Sequence, residues 1–346
     1  MLRQAPTLFG MAIRVAVIGA GSWGTTVASL AASNTPTLLW ARRNELVREI
    51  NEHHLNSPYL PGHVLPDSLR ATDNVEEACR EADVLVMAVP SHGFRAVLRE
   101  AAPHVRPWVP VVSLSKGLEQ STLKRMSEVV SDELPGHPVA VLTGPNLAHE
   151  ILAGQPAASV VGIGDEVIGQ ELQRIFATMR LRVYTNPDMV GCEVAGVVKN
   201  VIAIASGMAE GMGFGDNTRA TIITRGLAEM SRLGVALGGQ PMTFAGLAGM
   251  GDLIATCSSS RSRNNSVGLE LGRGRPIDDI LADMHMVAEG VKSSPSVVEL
   301  ARRHGVEMPI CHEVMAVCHG GKTAAEALRS LMGRERKSEL AGLEPS

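Results

Sequence analysis

Lys199 stands in Val194-Ala195-Gly196-Val197-Val198-Lys199-Asn200-Val201-Ile202-Ala203, a cation set into an apolar run. On a helix its neighbours three and four positions away are Ala195, Gly196, Ile202 and Ala203, which cover little of its stem and offer no counter-charge. Burial disfavours the charged form, so such a lysine is drawn towards a pKa at which it can give a proton near neutral pH and take one back. A structural buried ion pair is the competing reading. Asp252, the lone carboxylate of Gly249-Met250-Gly251-Asp252-Leu253, could orient Lys199, bind a substrate hydroxyl or cap a helix. Ser262-Arg263-Asn264 closes a serine-rich turn, and Arg263 with Asn264 makes a fork of donors suited to a phosphate dianion. The alternative is a surface arginine in a polar loop, with Arg261 close by. Glu289, in Val287-Ala288-Glu289-Gly290-Val291, fits either a cofactor contact or an interdomain ion pair.

A second constellation lies near the start of the chain. Ala16-Val17-Ile18-Gly19-Ala20-Gly21-Ser22-Trp23-Gly24 is an apolar run that breaks into a Gly-x-Gly-x-x-Gly turn and passes into helix-forming sequence. Such a turn sets a dinucleotide pyrophosphate on a helix N-terminus. Gly19 permits the tight turn, Gly21 lets the backbone approach the phosphates, and Gly24 lets helix and strand pack closely. An NAD-selective site usually carries Asp or Glu about twenty residues further on. Here Arg42 and Arg43 occupy that region, and guanidinium groups pair well with a 2'-phosphate, which favours NADPH; the competing reading is a solvated basic turn. Two further strand ends carry polar groups: Lys116 in Ser115-Lys116-Gly117, a substrate or cofactor contact or else a surface lysine, and Asn146 in Thr143-Gly144-Pro145-Asn146, where Gly144 allows close backbone approach.

These residues need elements to hold them. From Ile13 to about Tyr184, β-branched runs (Ile13–Ile18, Thr37–Trp40, Val84–Val89, Val111–Leu114, Val139–Leu142, Ser159–Ile163, Leu181–Tyr184) alternate with helical stretches. The alternation predicts a mainly parallel sheet covered on both faces. Asn74–Ala82 and Ser121–Glu133 read as helices capped by Asn74 and Ser121. After Asn186-Pro187 the texture turns helical, with candidates at Val190–Met208, Thr218–Leu233, Phe244–Thr256, Ile277–Met284, Ser294–His304, Glu313–His319 and Thr323–Leu331. The expected organisation is a frayed N-terminal extension (1–11), a dinucleotide-binding domain (12–189), a helical substrate-binding domain (190–334) and a loose tail (335–346).

Composition bounds the function. The chain has 346 residues, 45% of them hydrophobic and 20% charged, enough for two domains with real cores. A formal net charge of -4 argues against nucleic acid or an anionic membrane as the main partner. Five scattered cysteines without C-x-x-C spacing suggest neither a disulfide framework nor a metal site, and fit a reducing cytoplasm. The first ten residues lack a signal-peptide core, and no uninterrupted apolar run is long enough to span a bilayer.

Taken together, the chain from about Ile13 to Gly333 resembles the bacterial-type NAD(P)-dependent glycerol-3-phosphate dehydrogenases. The resemblance rests on Gly19-Ala-Gly-Ser-Trp-Gly24, Ser115-Lys-Gly117, Val198-Lys-Asn-Val-Ile-Ala-Ile204, Gly215-Asp-Asn-Thr218 with Ile223-Thr-Arg-Gly-Leu-Ala-Glu-Met230, and Gly251-Asp-Leu253 with Ser262-Arg-Asn264. It implies an α/β Rossmann-type N-terminal domain followed by an all-α C-terminal domain of the 6-phosphogluconate dehydrogenase C-terminal-like kind. The implied reaction is reduction of dihydroxyacetone phosphate to sn-glycerol 3-phosphate by NADPH or NADH, in a cytoplasmic homodimer. By the family pattern Lys199 moves the proton, and Lys116, Gly144, Asn146, Asp252, Ser262, Arg263 and Asn264 line the substrate. Ser22, Trp23, Arg42, Arg43, Lys116, Ala148, Arg263, Val287 and Glu289 would touch the cofactor. Two rivals share parts of this pattern: another two-domain β-hydroxyacid or 6-phosphogluconate-type dehydrogenase, and a non-enzymatic nicotinamide-binding regulator.

Overall fold

The computed structural model describes residues 7–8, 11–284, 287–336 and 338. The chain divides into two compact units, Met1–Ser115 with Lys124–Met189, and Lys116–Leu123 with Val190–Ser346. In the first, β1 (Thr7–Leu8) pairs antiparallel with β2 (Met11–Ala12), so the described part of the extension is a short ladder rather than a frayed end. The main sheet comprises β3 (Val15–Ile18), β4 (Thr37–Trp40), β5 (Arg70–Thr72), β6 (Val84–Met87), β7 (Val111–Ser113), β8 (Val139–Thr143), β9 (Ala157–Gly162) and β10 (Leu181–Asn186). Its order is β10-β9-β8-β7-β6-β3-β4-β5, and every neighbouring pair is parallel except β8 with β9. The order reverses at β3, whose Val17 is in register with Leu39 on one side and Val86 on the other. In open sheets of this kind ligands bind beyond the carboxyl ends of the strands at that reversal.

Strand periodicity builds a core on each face. Val15 and Val17 enter one with Val27, Leu172 and Phe176, while Ala16 and Ile18 enter the other with Phe94, Val97 and Val129. The covering helices are α1 (Ser22–Ala32), α2 (Asn44–Arg48), α3 (Val75–Arg80), α4 (Ser91–Ala101), α5 (Met126–Glu133), α6 (Ala148–Leu152) and α7 (Glu166–Phe176). Asn74 caps α3 as its side chain predicts, accepting from the Glu77 amide. The helix expected from Ser121 begins only at Met126, because residues 116–123 fold with the helical unit instead.

That second unit consists of α8 (Met189–Gly211), α9 (Asp216–Ala236), α10 (Pro241–Ala245), α11 (Asp252–Ser258), α12 (Arg263–Gly272), α13 (Ile277–Ala282), α14 (Glu289–Arg303), α15 (Pro309–His319) and α16 (Ala324–Met332). The single helix expected over Phe244–Thr256 is broken by Gly246 and by a π turn at Leu247–Gly251, which leaves Asp252 at the start of α11. α14 starts at Glu289, five residues before the expected Ser294, and runs through Pro295. α8 is long and apolar enough to cross a bilayer, but 89% of its most apolar window is buried in the unit, as befits a core helix. Glu229 on α9 accepts from the amides of Ile310 (2.7 Å) and Cys311 (3.2 Å), holding the first turn of α15; burial pushes its carboxyl up to about 7.

Close packing in this unit depends on small residues. Gly207 and Gly211 on α8 meet Gly268 and Gly272 on α12, and each pair shares one helix face. A Cβ at Gly207 would lie 2.1 Å from the Asn265 carbonyl oxygen, and one at Gly268 would lie 2.1 Å from that of Ile204. The two backbones are therefore in direct contact, and α12 presents its first turn to the middle of α8. Of the expected tail at 335–346, all but 335, 336 and 338 lies outside the described residues.

Candidate active site

Three charges converge in the helical unit. Lys199, 5% exposed, is carried by α8, and Asp252, 2% exposed, by α11. Asp252 Oδ1 lies 3.2 Å from Lys199 Nζ, and its Oδ2 lies 2.6 Å from Lys116 Nζ. One carboxylate thus bridges two ammonium groups. Lys199 also donates to Thr256 Oγ1 at 2.7 Å, and that hydroxyl is 3.3 Å from Asp252 Oδ1. Burial pushes the Lys199 ammonium down to about 8; Asp252 opposes the shift and Lys116 adds to it. A proton can therefore leave or return near neutral pH.

A polar chain extends from this centre. Asn200 Nδ2 donates to the Lys116 carbonyl (3.2 Å), Asn264 Nδ2 donates to Asn200 Oδ1 (3.0 Å), and the Gly290 amide donates to Asn264 Oδ1 (2.9 Å). The glycine seam between α8 and α12 is what brings Asn264 within reach of Asn200. Asn264 is thus tied inward, while its neighbour Arg263 is exposed and donates to the Val287 carbonyl at 2.7 Å. Ser262 caps α12 by accepting from the Asn265 amide. Glu289 opens α14, on the element that follows Val287.

Thr256 and Asn200 were not among the residues the sequence pointed to. Thr256 lies four residues after Asp252, the spacing that puts two side chains on one helix face, and the expected helix over Phe244–Thr256 already contains that relation.

The remaining predicted residues lie on the sheet unit. The turn after β3 enters α1 with Gly21 at the cap position. Gly19 sits at φ +119°, and a Cβ there would press to 2.5 Å of the Ala88 carbonyl oxygen. A Cβ at Gly24 would stand 2.0 Å from the Gly19 carbonyl oxygen. Gly21 differs, because a Cβ there would meet no atom within 4 Å. Its neighbours do not require glycine, and the open space at the start of an eleven-residue helix fits a pyrophosphate. Ser22 and Trp23 form the first turn of α1, with Ser22 Oγ donating to the Tyr59 carbonyl at 3.0 Å. Arg42 and Arg43 are exposed just past β4, and the Arg43 guanidinium lies 5.6 Å from the centre of the Tyr59 ring. Gly144 and Asn146 follow β8, where Asn146 Oδ1 accepts from Ser159 Oγ at 2.6 Å, and Ala148 opens α6.

The two halves of the chain match the two parts of one family. Residues 14–168 match the profile of the NAD-dependent glycerol-3-phosphate dehydrogenase N-terminus, and residues 188–329 match that of its C-terminus. The chain belongs to the NAD-dependent glycerol-3-phosphate dehydrogenase family. Among its relatives there, the NAD(P)+ glycerol-3-phosphate dehydrogenase 2 of Sphingopyxis alaskensis is 60% identical over 322 residues, covering 93% of this chain and 97% of the relative. The NAD(P)+ glycerol-3-phosphate dehydrogenase of Mycobacterium avium is 54% identical over 330 residues, covering 95% and 97%. The crystal structure of glycerol-3-phosphate dehydrogenase from Coxiella burnetii is similar at a TM-score of 0.89 and 35% identity, over 93% of this chain and 99% of that one. This family member is an NAD(P)-dependent oxidoreductase, with a Rossmann-type sheet unit and a helical C-terminal unit.

Proposed function

We propose that the chain reversibly reduces dihydroxyacetone phosphate to sn-glycerol 3-phosphate and so supplies glycerophospholipid synthesis. The observation that carries the reading is the Lys116–Asp252–Lys199 array in a chain of this family. Gly19, Gly21, Ser22, Trp23 and Gly24 hold the cofactor pyrophosphate at the start of α1, and Arg42 and Arg43 hold the adenosine 2'-phosphate. Ala148, Val287 and Glu289 add further cofactor contacts. The nicotinamide, when bound, supplies hydride to substrate C2 or takes it back.

The protein's own work is charge and position. Lys199 donates its proton to the C2 oxygen as negative charge develops there, and Lys116 adds a second positive charge. Asp252 keeps both ammonium groups aimed and, once Lys199 has become neutral, still balances Lys116. Arg263 anchors the substrate phosphate and also reaches the cofactor. Ser262 and Asn264 set its place on α12, and Gly144 and Asn146 complete the substrate contacts; anchoring the phosphate raises rate through orientation.

Paired assays with NADPH and NADH test the substrate and the cofactor together. Dihydroxyacetone phosphate should be reduced and, in the reverse assay with NADP+ or NAD+, glycerol 3-phosphate should be oxidised whereas 3-hydroxyisobutyrate and 6-phosphogluconate should not; oxidation of the latter pair alone would defeat the substrate assignment. KM for NADPH should lie about tenfold below that for NADH, the scale of one charge-assisted hydrogen bond, and the gap should close when Arg42 and Arg43 are both replaced by alanine. Equal constants in the parent enzyme would remove both arginines from the 2'-phosphate.

The same reading makes the enzyme a cytoplasmic homodimer. All five cysteines are free and buried, in keeping with a reducing compartment. A largely apolar groove of about 1460 Å³ on the helical unit, lined by Met208, Ile222, Val235, Val314, Leu331 and Met332 among others, offers a surface for a second copy. Sedimentation equilibrium at micromolar concentration should return twice the chain mass, and a monomer there would refute the dimer.

A further inference from the structure

We infer that Asn56 is a positioning residue that fixes how the glycine turn presents its backbone to the cofactor pyrophosphate. The inference rests on the dinucleotide reading above and names a residue outside the Gly-x-Gly-x-x-Gly motif. Asn56 is fully buried, and its side-chain amide donates to the Ala20 carbonyl at 3.0 Å and to Thr25 Oγ1 at 2.8 Å. With both acceptors on the turn and on α1, the amide end of Asn56 has one assigned orientation.

The peptide between Ala20 and Gly21 is planar and trans, so its carbonyl and its N–H point in opposite directions. Asn56 draws that carbonyl inward. The Gly21 N–H is thereby turned away from Asn56, and the space that a side chain at Gly21 would fill is open. Without Asn56 the Ala20 carbonyl would be left with a lost partner in the interior, and the peptide could rotate to set an oxygen where a phosphate oxygen must lie. The turn would then repel what it should bind.

Asn56 is itself held. Its backbone carbonyl accepts from the amides of Tyr59 (3.2 Å) and Leu60 (2.8 Å), forming a tight turn. That same turn offers the Tyr59 carbonyl to Ser22 Oγ and the Tyr59 ring to Arg43. One short segment therefore grips the glycine turn at Ala20, Ser22 and Thr25.

The test compares two ligands that differ in pyrophosphate. ADP-ribose carries it and adenosine 2'-monophosphate does not. In Asn56→Ala, Kd for ADP-ribose and KM for NADPH should rise about tenfold or more. Kd for adenosine 2'-monophosphate, and KM for dihydroxyacetone phosphate at saturating cofactor, should stay within about twofold. Thr25→Val removes one anchor without removing the asparagine and should show the same split at smaller size, which covers the case of a poorly folding Asn56→Ala. Equal losses for both ligands, or no loss for either, would overturn the inference. If the parent protein bound neither ADP-ribose nor NADPH, the dinucleotide reading itself would fail, and the inference with it.

Discussion

Lys199→Met should lower kcat for dihydroxyacetone phosphate reduction by about a thousandfold, the scale of a general acid that also stabilises developing charge. KM for the cofactor should hardly move, because Lys199 is not among the residues assigned to the cofactor. Methionine fills much of the lysine stem and leaves Asp252 paired with Lys116, so the thermal midpoint should change little. That separates chemistry from folding. The pH profile adds a second readout. Reduction needs the ammonium, so in the parent enzyme kcat should fall as pH rises through about 8; oxidation of glycerol 3-phosphate needs the free amine and should rise through the same range. In Lys199→Met neither limb should remain. A variant with parental turnover, or one that kept the limb near pH 8, would show that another group moves the proton.

Asp252→Asn should be nearly as damaging, for a different reason. It leaves Lys116 and Lys199 facing one another in a buried site without their shared carboxylate. Removing one partner of a buried ion pair typically costs about 3–5 kcal/mol. The protein has a cheaper escape, because Lys199 can shed its proton. Its pKa should therefore fall below the parental value of about 8, since Asp252 is what holds it up against burial and Lys116. Turnover near neutral pH should drop by about a hundredfold or more, with the falling limb of the reduction profile displaced to lower pH. A smaller loss in thermal midpoint than the ion-pair figure implies would accompany that displacement. Reduced turnover with an unmoved pH limb would mean that Asp252 binds substrate and does not set the state of Lys199.

Much of the sheet unit could be read from the chain, because its strands are buried on both faces and appear as short β-branched runs. Val15 to Ile18 is such a run, and the glycines after it have backbone reasons that local sequence reveals. β5 escaped notice because Arg70-Ala71-Thr72 is a three-residue edge strand, too short and too polar to show a period. The helical unit was harder. Arg263–Gly272 contains Asn264, Asn265, Ser266, Gly268 and Gly272, all poor helix formers, and reads as a loop. It is helical because those residues are used in packing: Asn265 Nδ2 donates to the Cys257 carbonyl, and the glycines admit the α8 backbone. Tertiary contacts override propensity there. Lys199 stood out as a charge in an apolar helix, whereas Thr256 did not, since its part depends on the packing that brings its hydroxyl to Lys199 Nζ.

Lys116 reaches Asp252 because residues 116–123 leave the sheet unit and fold with helices that the chain makes only from Val190 onward. On the ribosome, where domains form from the N-terminus, the strands through β10 can all be in place while this eight-residue excursion still lacks Asn200, Asp252 and Lys292, to which it bonds. The helical unit cannot be obtained by cutting the chain at residue 190, because such a fragment omits the lysine and the loop that Gln120 ties to the Lys292 carbonyl. The two units are therefore threaded in sequence as well as assigned to different work, and the proton-handling centre becomes complete only after most of the protein has been synthesised.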